Sequence, residues 1–431
     1  MAKIILHPPV DKQKLLLQRP SSRKVDDEQI LKIFSDVRKR GDAALSHYTR
    51  LFDKVTPDHI KLNSSEIKKA EKEVPPLLKQ SIRKAYRAIR TFHEKTFSGN
   101  RISSVKTHPG ITAWKKFVPL HTIGLYIPGG NAPLFSTVLM LGIPAQIAGC
   151  NRVVLCSPPS FSGKIHPAIL FAASLCGIEE IYACGGVQAI AAMTLGTTVI
   201  PKVQKIFGPG NAWVTRAKWL AWSHFGVPMD MPAGPSEILV IADAFANPEW
   251  VAADLLSQCE HGPDSQAILL TTSEKLIREV NAAATHQLKK LPTGAFAKKS
   301  WKNSRLILLG SLKECVEWSN YYAPEHLHIH TQNYEKIAGE IINAGSVFLG
   351  KYCTESIGDY ISGPNHTLPT SGFARNFSGI SVESFMKTIT FQQVSQSGLK
   401  HVAEHVIRMA LAENLPAHAA SVKIRINGKT I

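Results

Sequence analysis

The sequence has few cysteines for its length, and they do not form the spacings in which cysteines usually act together. Seven cysteines occur in 431 residues, an odd number, and there is no CxxC pair. This pattern argues against a disulfide framework and against a zinc knot held by thiolates. Most of the seven lie in apolar stretches, where we expect small buried thiols.

Long apolar runs and a secretory signal are also missing. The run LFSTVLMLGIPAQIAG (134–149) is interrupted by Ser, Thr, Gly, Pro and Gln. It stays below the roughly 20 apolar residues that a membrane span needs. The N-terminal MAKIILHPPVDKQ lacks a positive head, a long apolar stretch and a small-residue cleavage site. We therefore expect a soluble cytoplasmic protein without a membrane partner.

Acidic residues are few relative to basic ones. There are 33 Asp and Glu against 50 Lys and Arg, which gives a formal net charge of +17. Such an excess can favour phosphorylated ligands, anionic cofactors or nucleic acid. Here the basic residues are scattered and form no stripe interleaved with aromatics. We expect a solvated basic surface and no nucleic-acid partner, an expectation that tight, salt-resistant binding of nucleic acid would contradict.

The hydrophobic pattern changes from helical to alternating along the chain. Residues 26–98 show helical spacing, with Ser64 or Ser65 as the expected N-cap of a capping box. From about residue 120, short β-branched runs alternate with amphipathic segments, which indicates parallel sheets flanked by helices. The runs expected to form strands are 122–128, 152–158, 179–186, 205–211, 237–243, 266–272, 304–310 and 345–350.

We predict an α/β fold with two lobes, each containing a Rossmann-like but incomplete parallel sheet flanked by helices. The length exceeds what one ordinary core accommodates. The expected regions are an N-terminal helical segment and lead-in (1–120), a first α/β lobe (121–236), a second α/β lobe (237–375) and an extended C-terminal tail (376–431).

Four chemically different side chains follow one another in SQCEHGPDSQ (257–266). The preceding residues have helical spacing, so Gln258 and His261 share one helix face. Cys259 is turned by about 100° and Glu260 by about 200° from that face. Gln258 and His261 can therefore converge on one point, such as a metal ion. A polar helix end with a capping histidine is the alternative.

The motif APEHLHIH contains a potential acid/base pair, Glu325 and His326. Neighbours on a regular strand point to opposite faces, so both can serve one substrate only where the chain bends. The proline before them favours such an irregular entry. His328 and His330 share a strand face with His326. This H-x-H pattern indicates either metal ligands or imidazoles on the wetter face of an amphipathic strand.

Two further stretches and three glycine turns complete the candidates. ESIGDYISGPNHTLPTSG predicts a loop that carries Asp359 and His366, and AENLPAHAAS places Glu413 and His418 around a proline. The turns GLYIPGGNAPL, GGVQAIAAM and FGPGNAW each follow a strand and precede a helix, where backbone amides can bind a pyrophosphate. None matches G-x-G-x-x-G. Each stretch alone is also compatible with a solvated loop.

Taken together, these segments resemble one family. GLYIPGGNAPLFSTVLML, IFGPGNAWVT, DMPAGPSEILVIAD, LLSQCEHGPDSQ, YAPEHL and SGPNHTLPT occur in the order found in histidinol dehydrogenases, over nearly the whole chain. The resemblance implies a zinc-dependent homodimer of histidine biosynthesis. Such an enzyme oxidises L-histidinol to L-histidine through L-histidinaldehyde, with two NAD⁺ per turnover.

The resemblance also implies roles for individual residues. The implied zinc ligands are Gln258, His261, Asp359 and His418. Nitrogen and oxygen donors suit Zn²⁺, while divalent manganese or cobalt could also bind. The implied substrate contacts are Ser236, Gln258, His261, His326, Asp359, His366, Glu413 and His418. The implied NAD⁺ contacts are Tyr126, Gln188 and Asn211.

Glu325 and His326 are the implied catalytic residues. His326 would accept the alcohol proton during the first hydride transfer, and Glu325 would then activate water to attack the aldehyde. His326 would accept a proton again during the second hydride transfer. General-base help of this kind contributes roughly 10²- to 10⁴-fold in rate.

The resemblance further implies a C-terminal tail that crosses to the partner subunit. Glu413 and His418 would then complete the site of the other chain. It implies no function for His328 and His330, which leaves them as strand residues.

The alternative enzyme is a thiol-dependent aldehyde dehydrogenase that uses Cys259. If the family resemblance holds, the variant Cys259→Ala keeps kcat at the wild-type order, because no covalent thiol intermediate forms. Steady-state NADH formation measures this. A loss of several orders of magnitude in kcat would instead identify Cys259 as a nucleophile.

Overall fold

The computed structural model describes residues 2–20, 25–55, 59–99, 104–129, 133–292 and 294–427. The chain divides into two compact units. The first comprises residues 1–95 and 120–385, and the second comprises residues 96–119 and 386–431. No helix within the described ranges is long and apolar enough to cross a membrane.

The described residues form thirteen strands, numbered here along the chain. They are β1 Lys3–Leu6, β2 Ser104–His108, β3 Ile111–Pro119, β4 Thr122–Tyr126, β5 Arg152–Ser157, β6 Glu180–Ala183, β7 Lys205–Phe207, β8 Glu237–Ala242, β9 Gln266–Thr271, β10 Arg305–Leu308, β11 His326–His330, β12 Ser346–Leu349 and β13 Met386–Val394. All eight runs expected to form strands do so.

The same residues form seventeen α-helices. They are α1 Gln13–Leu16, α2 Asp27–Arg40, α3 Asp42–Phe52, α4 Ser64–Glu73, α5 Pro76–Thr96, α6 Phe135–Ala148, α7 Pro167–Leu175, α8 Gly186–Leu195, α9 Ala212–Phe225, α10 Pro248–Cys259, α11 Glu274–Leu288, α12 Gly294–Asn303, α13 Leu312–Tyr322, α14 Tyr334–Ala338, α15 Glu355–Tyr360, α16 Gln396–Ala412 and α17 Pro416–Asn427.

The first unit contains two parallel sheets. The larger has the strand order β1-β10-β9-β8-β11-β12, and the smaller has the order β6-β5-β4-β7. Strands β8 and β9 are buried along their whole length, as expected where helices cover both faces of a parallel sheet. The smaller sheet packs against α2, α3, α8 and α9. The α/β prediction is confirmed.

Alternate residues of the larger sheet pack against different helices. Ile238 and Val240 face the layer formed by α10, α11 and α12. Leu239 and Ile241, one residue out of phase, face α13 and α14. Because successive side chains of a strand point to opposite faces, one short run such as EILVIA contributes to both layers of the core.

The second unit contains an antiparallel sheet of order β13-β3-β2 and the helices α16 and α17. Nine residues of β13 pair with nine of β3, from Met386 opposite Pro119 to Val394 opposite Ile111. Trp114 and Phe391 are opposite each other in this register, and their rings stack at 5.5 Å. The sequence analysis predicts none of these three strands. The β13–β3 partners are separated by more than 250 residues, so no short-range pattern reveals their pairing.

Two local expectations are wrong. The N-cap of α4 is Asn63, whose side chain accepts hydrogen bonds from the backbone N–H groups of Ser65 and Glu66. Glu66 completes the capping box from N3, so the cap lies one or two residues before the expected serine. His328 and His330 do not line a wet strand face. Both are buried, because Asp254 of α10 packs against their side chains on this face of the sheet.

Burial of His93, near the end of α5, makes the stability of the folded chain depend on pH. It is only 2% exposed, and its Nε2 has no hydrogen-bond partner among the described residues. Burial lowers the pKa of His93 from 6.5 to about 4. The unfolded chain therefore binds a proton at His93 below about pH 6.5, whereas the folded chain binds it only below about pH 4. The free energy of unfolding thus falls as the pH drops through this window.

The variant His93→Leu should therefore lose less stability on acidification. Between pH 7 and pH 5, its decrease in unfolding free energy should be smaller than that of the wild type by about 2 kcal/mol. Denaturant unfolding at both pH values measures this. The exposed His286 gives the control His286→Leu, which should behave like the wild type. Equal decreases for His93→Leu and wild type would contradict the assignment.

Candidate active site

The acid/base pair lies where β8 and β11 begin. Glu325 immediately precedes β11, after Ala323 adopts a positive φ of 53°. Its Oε2 accepts a hydrogen bond from the backbone N–H of Glu237 at 3.0 Å. The Nδ1 of His326 lies 3.3 Å from the carbonyl oxygen of Glu237 and 3.6 Å from Glu325 Oε2. The bend before the strand thus brings both neighbouring side chains to one residue of β8.

Glu237 is itself held by an ion pair. Arg19 donates from Nε to Oε2 at 2.5 Å and from Nη2 to Oε1 at 2.8 Å. The hydroxyl of Tyr322 donates to the same carboxylate at 3.1 Å, and the Arg19 guanidinium lies 3.8 Å above the Tyr322 ring. A bidentate pair of this kind fixes direction as well as distance. Glu237 therefore presents its backbone to the acid/base pair in one orientation.

Burial gives the pair distinct protonation behaviour. Burial lowers the pKa of His326 to about 3, so its imidazole is neutral near pH 7. In the tautomer whose Nδ1 proton points to the Glu237 carbonyl, the Nε2 lone pair has no partner among the described residues. Burial raises the pKa of Glu325 well above its ordinary value, and the nearby Glu355 and other carboxylates add to that shift.

The end of α10 brings Gln258 beside this pair. Gln258 is buried in the last turn, and His261 follows two residues beyond the helix end, exposed on the surface of this chain. The Gln258 amide satisfies its hydrogen bonds only with its nitrogen toward Glu355, at 2.6 Å from Oε1, and this nitrogen then also lies 3.2 Å from His326 Nδ1. Its oxygen then points away from that carboxylate and can bind a cation.

Glu355 is the residue that the sequence analysis misses. Ligand atoms of His261, Glu355 and Asp359 all lie within 4.8 Å of one another. Glu355 and Asp359 come from α15, where an i, i+4 spacing places them on one face. The expected loop is therefore wrong at its start, because the Thr354 side chain caps a short helix by accepting from the Ile357 N–H. The Thr-Glu cap pattern is the signal that could have revealed it.

The electrostatics of this group favour a cation. Burial raises the pKa of Asp359 to about 7. Burial, and then repulsion from Asp359, raises the pKa of Glu355 well above its usual range. A divalent metal between these carboxyls and His261 would stabilise their charged forms. Nitrogen and oxygen donors at this spacing fit zinc.

The loop after α15 brings His366 to the same region. Burial lowers the pKa of His366 to about 4, with the nearby His261 adding to this effect. His366 Nε2 lies 3.3 Å from the Ser136 hydroxyl at the start of α6. Ser236, which precedes Glu237, is half-buried at the beginning of β8. These two substrate-contact candidates therefore lie in the first unit with the acid/base pair.

The cofactor candidates lie at the carboxyl end of the smaller sheet. Tyr126 is the last residue of β4, and its hydroxyl accepts a hydrogen bond from the Gly186 N–H at 3.1 Å. Gln188 is fully buried, and neither its amide oxygen nor its nitrogen has a partner in the described part of the chain. An unpaired buried amide is costly, so these atoms are available to a ligand.

The other glycine turns give different outcomes. Asn211 is exposed, and its Oδ1 caps α9 by accepting from two backbone N–H groups. Gly208 has a φ of 118°, and a Cβ there would lie 2.0 Å from the Tyr126 carbonyl oxygen, so glycine is required. The segment Gly130–Ala132 of the first turn lies outside the described residues.

Glu413 and His418 belong to the second unit, unlike the other predicted site residues. Glu413 follows the last residue of α16, and His418 lies in the first turn of α17. Both side chains are exposed. Their roles stay predictions.

Cys259 has no place in the site. It is fully buried on α10, and its Sγ donates to the Leu255 carbonyl oxygen at 3.3 Å. Burial raises the pKa of its thiol to about 11. A thiol that stays protonated is a poor nucleophile, which supports its prediction as a bystander.

A buried glutamate–histidine pair beside side chains that can hold a metal ion, on an α/β fold with glycine turns at the carboxyl edge of one sheet, is compatible with a dehydrogenase, an oxidoreductase. A family model described as histidinol dehydrogenase matches residues 17–426. The chain therefore belongs to the histidinol dehydrogenase family.

Individual relatives agree with this membership. The chain is 52% identical to the histidinol dehydrogenase of Bacteroides thetaiotaomicron, over 99% of each chain. It is 47% identical to that of Photobacterium profundum, over 96% of this chain and 93% of the relative. The crystal structure of histidinol dehydrogenase from Elizabethkingia anophelis superposes with a TM-score of 0.96 at 49% identity, covering 99% and 98% of the two chains.

Glu355 should control metal affinity through its contact with Gln258. In Glu355→Gln the carboxylate that orients the Gln258 amide is lost, together with one negative charge of the cluster. The affinity for Zn²⁺ should fall by about 10- to 100-fold, as for other partners of metal ligands. Competition with a chromogenic chelator measures it. The exposed Glu317 of α13 gives the matched control Glu317→Gln, and equal affinities in the two variants would argue against this role.

Proposed function

We propose that this chain oxidises L-histidinol to L-histidine through L-histidinaldehyde, with zinc and two NAD⁺ per turnover. The observation that carries the proposal is the buried Glu325–His326 pair beside a cluster of oxygen and nitrogen ligands. Family membership supports the substrate and the place of the reaction in histidine biosynthesis. A cytoplasmic location is part of the proposal.

Gln258, His261 and Asp359 would hold the zinc, with His418 from a partner chain. The fit rests on the Gln258 amide, whose nitrogen faces Glu355, and on the mutual approach of His261 and Asp359 ligand atoms. When bound, zinc would hold the substrate through its imidazole and amino nitrogens. Glu355 would orient Gln258 and contribute negative charge beside the ion.

His326 would act as the base in both oxidations. Its neutral imidazole has an unpartnered Nε2 that can accept the alcohol proton as the carbon loses hydride. After water has added to the aldehyde, the same nitrogen would accept a proton from the hydrate. The Glu237 carbonyl, 3.3 Å from Nδ1, would accept the proton of His326 in the tautomer that leaves Nε2 as the base.

Glu325 would activate the water. Burial raises its pKa, so its carboxylate is a stronger base than an exposed one. The Glu237 N–H holds Oε2 at 3.0 Å, which leaves Oε1 to contact water. Ser236 and His366 would contact the substrate from β8 and from the loop after α15, together with Glu413 of a partner.

NAD⁺ would supply the hydride acceptor at the carboxyl end of the smaller sheet. Open parallel sheets bind ligands at that end of their strands. Tyr126 would contact the cofactor beside the Gly186 amide, and the unpaired amide of Gln188 would donate to or accept from it. Asn211 would contribute from the start of α9 while its Oδ1 caps the helix.

A homodimer would complete the site. His261 is exposed and Asp359 is half-buried in the single chain, which leaves one side of the ligand cluster open. His418 and Glu413 are exposed as well. A ligand cluster that is open on its His261 side, together with the exposed Glu413 and His418, fits a site shared between two chains, with the tail as the dimerisation element.

The purified protein, supplied with L-histidinol and NAD⁺, should form two NADH per histidine and lose this activity when a chelator removes the metal. Product analysis and NADH absorbance measure both. Glu325→Gln should still form aldehyde but lose acid formation, because water activation is lost. His326→Asn should impair both oxidations.

The two variants also test the division of roles. If Glu325→Gln formed as much acid as the wild type, Glu325 would not be the residue that activates water. If histidinol turnover persisted in the presence of the chelator, the reaction would not require the metal.

A further inference from the structure

Three ligand-type side chains meet in the core away from the residues proposed to bind zinc. Asp254 of α10 and the two β11 histidines, His328 and His330, form what we call the Asp254 cluster. Asp254 Oδ2 lies 3.1 Å from His328 Nδ1 and 2.9 Å from His330 Nε2. The two rings lie 3.9 Å apart between centroids. All three residues are buried.

The position of the His328 proton is the informative feature. Its Nε2 lies 3.1 Å from the Gly350 carbonyl oxygen, which can only accept, so Nε2 carries the proton of a neutral ring. Nδ1 then presents a lone pair, and it has no hydrogen-bond partner among the described residues. This lone pair faces the Asp254 carboxylate at 3.1 Å. Two electron-pair donors at that distance require a cation between them.

We infer that the Asp254 cluster is a second binding site for a divalent transition-metal ion, separate from the site at His261. The ligands would be Asp254 Oδ2, His328 Nδ1 and His330 Nε2, and all three lie within 4.8 Å of one another. Two imidazole nitrogens and one carboxylate oxygen suit Zn²⁺. Ligands about 2.0–2.1 Å from a tetrahedral ion lie roughly 3.3 Å apart, close to the two measured separations.

The site would act as a cross-link next to the catalytic residues. Asp254 lies one helical turn before Gln258 on α10, and His328 lies two residues after His326 on β11. An ion bound by both elements would fix the helix that carries Gln258 against the strand that carries His326. It would also give a role to the H-x-H pattern, which the family resemblance leaves without one.

The competing state is a proton in place of the metal, with His328 as an imidazolium paired to Asp254 and His330 Nε2 donating to the same carboxylate oxygen at 2.9 Å. Both states satisfy the lone pair on Nδ1, and only the metal state adds a bound ion. Metal stoichiometry therefore separates them, and it does so independently of the proposed reaction.

The test is the zinc content of the full-length protein, stripped of metal, reloaded with Zn²⁺ and measured by elemental analysis after gel filtration. Wild type should contain two ions per chain, His328→Gln one, His261→Ala one, and the double variant none. Glutamine can donate to Asp254 and so satisfies the carboxylate without an ion. The exposed His286 provides the control His286→Gln, which should match the wild type.

The decisive comparison is the difference between wild type and His328→Gln. Loss of one ion supports the site even if His261→Ala loses none, a result that would count against the proposed active-site zinc alone. Equal metal content in wild type and folded His328→Gln overturns the inference. Should His328→Gln fail to fold, His261→Ala decides, because a variant at this exposed position that retains no zinc also overturns it.

Discussion

The backbone of Glu237 is the point on which the candidate active site depends. Its N–H holds Glu325, and its carbonyl faces His326, while its side chain is fixed by Arg19 and Tyr322. Replacing Arg19 would leave a buried carboxylate without its partner, which is strongly destabilising. One ion pair formed by an N-terminal residue thus orients both catalytic candidates, although neither of them contacts Arg19 directly.

The two sheets of the first unit carry their candidate site residues at opposite ends of their strands. The smaller sheet presents its glycine turns at the carboxyl ends of its strands, the usual ligand edge of an open parallel sheet. The larger sheet presents Glu237 and His326 at the amino ends of β8 and β11. Side chains at the amino ends of the strands must be fixed without a helix N-terminus. Here, hydrogen bonds to Glu237 fix Glu325 and His326. The acid/base candidates and the cofactor candidates therefore lie at different sheets of the first unit.

The structural features that can be predicted from the sequence are those that depend on a local pattern of residues. All eight strands with continuous β-branched runs are present, and helical spacing places Gln258 in the last turn of α10. Glu355 escapes detection because a six-residue helix inside a Gly-, Ser- and Pro-rich stretch has too few positions to show a period. The β13–β3 pair escapes because its partners lie far apart in the chain. Burial of His328 depends on strand order, which no single strand encodes.

The amide of Asn365 donates to the Met140 carbonyl oxygen at 2.5 Å, one residue away from His366. Met140 lies in the middle of α6, the helix that follows β4 of the smaller sheet. The loop carrying His366 is therefore tethered to α6, beside the smaller sheet, as well as joined to α15. Any motion of the smaller sheet relative to the larger one would have to break this hydrogen bond or carry His366 along, so such a motion would displace a candidate substrate contact.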